Sequence, residues 1–139
     1  MLRFNREFEV KELNCKYFFK TDHRDNSLKK SQWTIEPPNE LSCFVHSFTS
    51  GWQIAYRCWG VYILEGVKMP LGKSITDELL YVAIFVDSFE KQVWHGYPAD
   101  FRRNKWDVPA TAVLVDWRQK GFTTKSKISN AKQGKICSL

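Results

Sequence analysis

The densest group of chemistry-bearing residues is Trp94-His95-Gly96-Tyr97-Pro98, followed closely by Asp100, Arg102 and Arg103. Histidine exchanges a proton near neutral pH and serves as a general base. Arginine grips a phosphate with two parallel N–H donors. A histidine, a tyrosine or carboxylate and an arginine suffice for ribonuclease-type proton transfer on a phosphodiester. Under that reading His95 is the catalytic group, Tyr97 or Asp87 its partner, and Arg102 or Arg103 holds the phosphate. The plainer reading of the segment is a structural histidine beside a Gly-Tyr-Pro turn.

A second candidate is electrostatic. The formal net charge is +6, and it is one-sided. Residues 1–116 sum to zero, whereas Arg118, Lys120, Lys125, Lys127, Lys132 and Lys135 follow with no acid among them. Arg102, Arg103 and Lys105 form a smaller basic cluster just upstream. A localised excess of cations suits an acidic partner, either a protein surface or the phosphates of a nucleic acid.

Other motifs fall short of their chemistry. Gly72-Lys73-Ser74 resembles the end of a phosphate loop, but Gly66 precedes Gly72 at the wrong spacing and a strand is expected next, not a helix. Cys43 and His46 have the spacing of a zinc half-site, which Cys58 and His95 would have to complete. Cys43–Phe48 reads as a strand, however, and positions three apart on a strand face opposite ways. Gly-x-Ser-x-Gly, His-Glu-x-x-His and Gly-x-Gly-x-x-Gly are absent, which removes the usual anchors of serine hydrolases, metalloproteases and dinucleotide binders. Neither a metal nor a cofactor is expected.

The elements that must position these residues read as strands first and helices last. Leu13, Cys15, Tyr17 and Phe19 alternate with less apolar neighbours, while Phe8 and Val10 alternate from the other parity. That predicts a long first strand with a bulge or turn near Lys11-Glu12. Residues 22–31 are almost free of apolar groups and predict an exposed loop. Trp33 and Ile35 predict a short strand ended by Pro37-Pro38. Cys43–Phe48 and Trp52–Cys58 predict a hairpin around Ser50-Gly51. Residues 65–78 read as a loop. Tyr81–Asp87 reads as a strand buried on both faces, and Gln92–Tyr97 as its neighbour. Pro109 starts a helix running to Lys120, with Gly121 as its stop; Thr123 or Thr124 caps a second helix that ends near Gly134.

The expected architecture is one α+β domain over residues 1–139. Residues 1–98 are mostly strands of a mainly antiparallel sheet of about five to seven strands, and residues 109–134 form a basic pair of short helices. The longest apolar run, Leu79–Val86, is far short of a membrane span, which needs about 20 residues. Cysteines 15, 43, 58 and 137 form no Cys-x-x-Cys pair, no Asn-x-Ser/Thr acceptor occurs, and no apolar leader follows the first residues. Free thiols in a reducing cytosol are therefore expected.

The favoured function is a small cytosolic, non-enzymatic interaction protein. It would bind an acidic partner, in the manner of an immunity or antitoxin protein, through Arg102, Arg103, Lys105, Arg118, Lys120, Lys125, Lys127 and Lys132. One alternative is the ribonuclease-like enzyme built on His95, Tyr97, Arg102 and Arg103. Another is a nucleic-acid-binding module that contacts phosphates through the C-terminal helices.

Overall fold

A computed structural model describes residues 6–135 and residue 139 as an α+β chain. β1 (Glu7–Val10) and β2 (Cys15–Phe18) pair antiparallel, with Val10 opposite Cys15. The change of parity between them is a turn: Lys11–Leu13 forms a single 3-10 turn that ends at Asn14 with φ 53°. Asparagine tolerates that left-handed conformation better than most residues. The polar 22–31 segment leads to β3 (Gln32–Trp33).

The next segment departs from the sequence expectation. Residues read as a strand lie in α1 (Pro37–Thr49). Phe44, His46 and Phe48 imitate strand alternation, but the residues the helix buries are Glu40, Cys43, Phe44 and Ser47. Their three-and-four spacing is that of one helical face. Pro37 and Pro38 stand in the first turn, where a missing N–H costs no hydrogen bond and the fixed φ suits the helix. Ser50-Gly51 is accordingly the helix stop, with Gly51 at φ +76°. The hairpin lies further on, where β4 (Gln53–Ile54) and β5 (Arg57–Leu64) pair around Ala55-Tyr56.

The 65–78 stretch also differs from the expected loop. The chain turns at Glu65-Gly66 and returns along β5 as β6 (Val67–Met69). β7 (Gly72–Lys73) then pairs with β3 and with β8 (Leu79–Leu80) in a small three-stranded sheet. β9 (Val82–Val86) and β10 (Val93–Pro98) complete the main sheet. Its order is β1-β2-β10-β9-β5-β4, with β6 on β5, seven strands in all. The β2–β10 pair is parallel and the other pairs are antiparallel.

The sheet separates two cores. Ala83 and Phe85 of β9 pack with Tyr17, Cys43, Phe44 and Trp94 on the α1 side. Val82 and Ile84 pack on the other side with residues of the two C-terminal helices, α2 (Thr111–Gln119) and α3 (Lys125–Lys132): Val113, Leu114, Trp117 and Ala131. The continuous apolar run of β9 follows from this burial on both faces. The helical pair forms as its sequence signals require. Gly121 and Gly134 take φ +80° and +69° just past the helix ends. The Thr124 hydroxyl accepts from the Lys127 backbone N–H at 3.2 Å, the N-cap bond that its position calls for.

Candidate functional site

β10 carries the His95 group. Trp94, Gly96 and Pro98 are buried along it, while His95 and Tyr97 alternate with them and are only half-buried. A Cβ at Gly96 would collide with the Phe85 ring, so glycine there lets β10 lie close on β9. The 20–31 segment folds over the same strand end. The Ser31 hydroxyl donates to the Pro98 carbonyl at 2.7 Å. Gln32 Nε2 donates to the Asp22 and Lys30 carbonyls at 3.1 and 3.2 Å and closes the loop on itself. Between loop and strand lies a cleft of about 440 Å³. His95, Tyr97, Asp100, Arg103, Asn104 and Asp107 line one side; Lys20, His23, Lys29, Lys30 and Ser31 line the other.

Of the residues singled out in the sequence, His95, Tyr97 and Arg103 meet in this cleft, and Arg102 does not. Arg102 forms an ion pair with Glu78 and reaches Thr76 Oγ1 at 3.4 Å. Asp87 is occupied by its own turn, accepting from the backbone N–H groups of Lys91 and Gln92 at 3.1 and 2.8 Å. His95 itself is poorly presented. Its Nε2 lies 2.9 Å from the Ser88 hydroxyl, and its Nδ1 is buried without a partner. Burial, reinforced by the nearby Lys20 and His23, lowers its pKa to about 4, so the ring is neutral at pH 7.

Tyr97 is part of a half-buried network around Asp107. Its hydroxyl donates to Asp107 Oδ1 at 3.0 Å, and Asn104 Nδ2 donates to the same oxygen at 3.3 Å. Arg57 Nη2 stands 3.8 Å from that oxygen. Burial raises the Asp107 pKa against the opposing pull of Tyr97 and Arg57. Burial and the adjacent Asp107 carboxylate together push the Tyr97 phenol well above its usual range.

The sequence reading missed the other wall. His23 stacks on Tyr97, and its Nδ1 lies 2.9 Å from the Ser31 carbonyl. Lys20, Lys29 and Lys30 stand around it. The available signal was the basic content of the polar loop; nothing local showed that the loop folds back onto β10.

The basic C-terminus divides rather than forming one face. Thr111, Leu114, Val115, Arg118 and Gln119 of α2 face Lys125, Ile128 and Lys132 of α3 across a groove of about 460 Å³. The spacing is three and four on each helix, so each contributes one stripe. Leu114, Val115 and Ile128 form an apolar floor between Arg118, Lys125 and Lys132. Among the described residues, none of these three cations has an acidic partner. Lys120 is turned away and bridges to Asp116 at 2.7 Å. Lys127 lies outside the groove, and Lys135 lies near Arg102 on another surface. Lys105 belongs to a 3-10 turn over Lys105–Asp107 that packs near the end of α3, since a Cβ at Gly134 would stand 3.8 Å from Lys105 Cε.

The zinc-like spacing leads nowhere. Cys43 and His46 share a helix, not a strand; Cys43 Sγ donates to the Val61 carbonyl at 3.7 Å, and His46 packs edge-on against Trp52. Among the described residues no three His, Cys, Asp or Glu side chains are grouped to hold a metal ion. Cys15, Cys43 and Cys58 are free and buried, and burial raises their pKa values to about 11, 12 and 11. Cys137 lies outside the described residues. No helix among them is long and apolar enough to cross a membrane. Comparisons with known protein families, curated proteins and solved structures find no match for this chain.

Proposed function

We propose that this chain is an interaction protein that binds an acidic, amphipathic segment of a partner protein in the groove between α2 and α3, a contact that involves no catalysis. One observation carries the reading: Arg118, Lys125 and Lys132 rim an apolar floor of Leu114, Val115 and Ile128 with no acid in the groove. An acidic helix with one apolar stripe complements both features, burying the floor and pairing with the rim. Neutralisation of the partner, as by an immunity or antitoxin protein, is one use of such a contact, and free buried thiols are compatible with the reducing cytosol expected from the sequence. The groove suits a protein segment better than a nucleic acid. A phosphate reader gathers its cations on one face, whereas Lys120 and Lys135 here point elsewhere.

Fluorescence anisotropy with a labelled helical peptide, leucine at three-and-four spacing and glutamate elsewhere, tests the proposal. The peptide should bind, and the pair Lys125→Glu with Lys132→Glu should weaken binding by about 10-fold, since each lost contact at an exposed rim is worth roughly 0.2–1 kcal/mol and reversal adds repulsion of similar size. Equal binding by the reversed variant overturns it. Tighter binding of single-stranded DNA than of the peptide would favour the nucleic-acid reading instead.

A further inference from the structure

The cleft between the 20–31 loop and β10 takes no part in that contact, and its chemistry is different. We propose that it holds a phosphodiester of an RNA strand, with His23 as the general base that takes the proton of the 2′-hydroxyl. The cleft and the α2–α3 groove share no lining residue.

The hydrogen bonding of His23 fixes its role. A carbonyl oxygen only accepts, so the 2.9 Å contact between His23 Nδ1 and the Ser31 carbonyl places the ring proton on Nδ1. Nε2 then carries the lone pair, and no side chain among the described residues occupies it. The ring plane is held by Tyr97, 5.1 Å away and 14° from parallel, and Tyr97 is in turn tied to Asp107 at 3.0 Å. Burial is the leading cause of a lowered His23 pKa, so the neutral, proton-accepting form prevails near pH 7. His95, by contrast, has one nitrogen on Ser88 and the other sealed.

The lining is basic on balance: Lys20, Lys29, Lys30 and Arg103 face two carboxylates, Asp100 and Asp107, which are themselves paired with Arg102 and Arg57. Lys20, Lys29 and Arg103 line the cleft, and none of them forms an ion pair among the described residues. Lys30 is shared with Asp22 at 2.7 Å on the surface. Arg103 Nη1 donates to the Lys29 carbonyl at 3.0 Å, which joins the two walls and fixes the guanidinium at the cleft. A phosphodiester placed there meets charge that offsets the extra negative charge of a five-coordinate phosphorus.

The step balances without any further reagent than water. His23 Nε2 takes the 2′-hydroxyl proton, the 2′-oxygen bonds to phosphorus, and the bond from phosphorus to the 5′-oxygen breaks. The leaving 5′-oxygen takes a proton from water, and the hydroxide so formed recovers the proton from His23. The products are a 2′,3′-cyclic phosphate end and a 5′-hydroxyl end. RNA is specified because it carries its own nucleophile beside the phosphorus; DNA does not.

The test is cleavage of a 5′-labelled RNA oligonucleotide and of the DNA oligonucleotide of the same sequence. RNA should be cut to cyclic-phosphate ends, and DNA should remain intact. His23→Asn sets an amide donor where Nδ1 meets the Ser31 carbonyl but supplies no base; it should lower kcat by about 10²-fold or more with KM little changed. Lys20→Ala with Arg103→Ala should instead raise KM and flatten its salt dependence. Near-UV circular dichroism of the tryptophans checks that each variant is folded, and His23→Ala gives a second reading of the same loss. An intact RNA with the wild-type protein, cutting of DNA at the RNA rate, or wild-type kcat in both His23 variants overturns the proposal.

Discussion

His23 lies flat against Tyr97, with ring centroids 5.1 Å apart and planes 14° from parallel. The two residues are more than 70 positions apart in sequence; the pair joins the 20–31 loop to β10 and shapes the wall of the cleft. Sheltering lowers the pKa of both histidines in this cleft, His95 to about 4. Followed by NMR of the ring protons, His95 should therefore stay neutral down to about pH 4 and His23 should titrate below the ordinary histidine value. Stability follows with a definite sign. An unfolded histidine titrates near 6.5, so between pH 6.5 and about 4 the unfolded chain binds a proton that folded His95 refuses. Its contribution is present above 6.5 and is lost as pH falls towards 4. Lys20 and His23 depress the pKa, and Asp87 raises it. Urea midpoints of the wild type should fall over that window relative to His95→Gln, which removes the titration while Glu40 and Asp107 act equally in both. Parallel pH curves for the two proteins would contradict the assignment.

Trp52 ties α2 to the start of the β4–β5 hairpin. Its Nε1 donates to Asp116 Oδ2 at 2.7 Å, and its ring meets Trp117 edge-on at 5.6 Å. Trp117 is fully buried, so Trp117→Ala should cost about 3–5 kcal/mol in chemical denaturation. Asp116→Asn retains an acceptor for Trp52 and should cost far less. A small effect of Trp117→Ala would mean that α2 is not anchored as described, and the groove it builds with α3 would lose its foundation.

These contacts show what was legible in the sequence. The helical pair carried its own stops and cap in Gly121, Thr124 and Gly134, and β9 announced its double burial in an unbroken apolar run. α1 was hidden because Phe44, His46 and Phe48 fall on alternate positions, while the decisive burial of Glu40 and Ser47 is polar and invisible to a hydrophobic pattern. β6, β7 and β8 have two or three residues each, too few to carry a period; their partners make them strands. The site divided in the same way. His95, Tyr97 and Arg103 are close in sequence and could be grouped by eye. His23 joins them because its Nδ1 donates to the Ser31 carbonyl, the Ser31 hydroxyl donates to the Pro98 carbonyl and Gln32 Nε2 donates to the Asp22 carbonyl, and such closure leaves no local mark.

Glu40 shows how α1 is fixed to the sheet. Its carboxylate accepts from the Tyr17 hydroxyl at 2.5 Å and from Arg24 Nη2 at 2.7 Å, with its side chain only 3% exposed. Burial raises its pKa, while Tyr17 and Arg24 hold it down. Arg24→Ala removes the cation and leaves the carboxylate in the core, which should cost about 3–5 kcal/mol. Arg24→Ala combined with Glu40→Gln removes the stranded charge and should recover part of the loss. A double variant less stable than the sum of the singles would contradict this account of the pair.

The central claim is the location of the partner contact. Amide chemical shifts followed by NMR, as the acidic amphipathic peptide is titrated into the wild-type protein, test it most directly. Saturable shifts are expected in Thr111–Gln119 and Lys125–Lys132, strongest at Val115, Arg118, Ile128 and Lys132, and weakened by added salt. Shifts confined to the 20–31 loop and β10, or a peptide that moves no resonance, would contradict it.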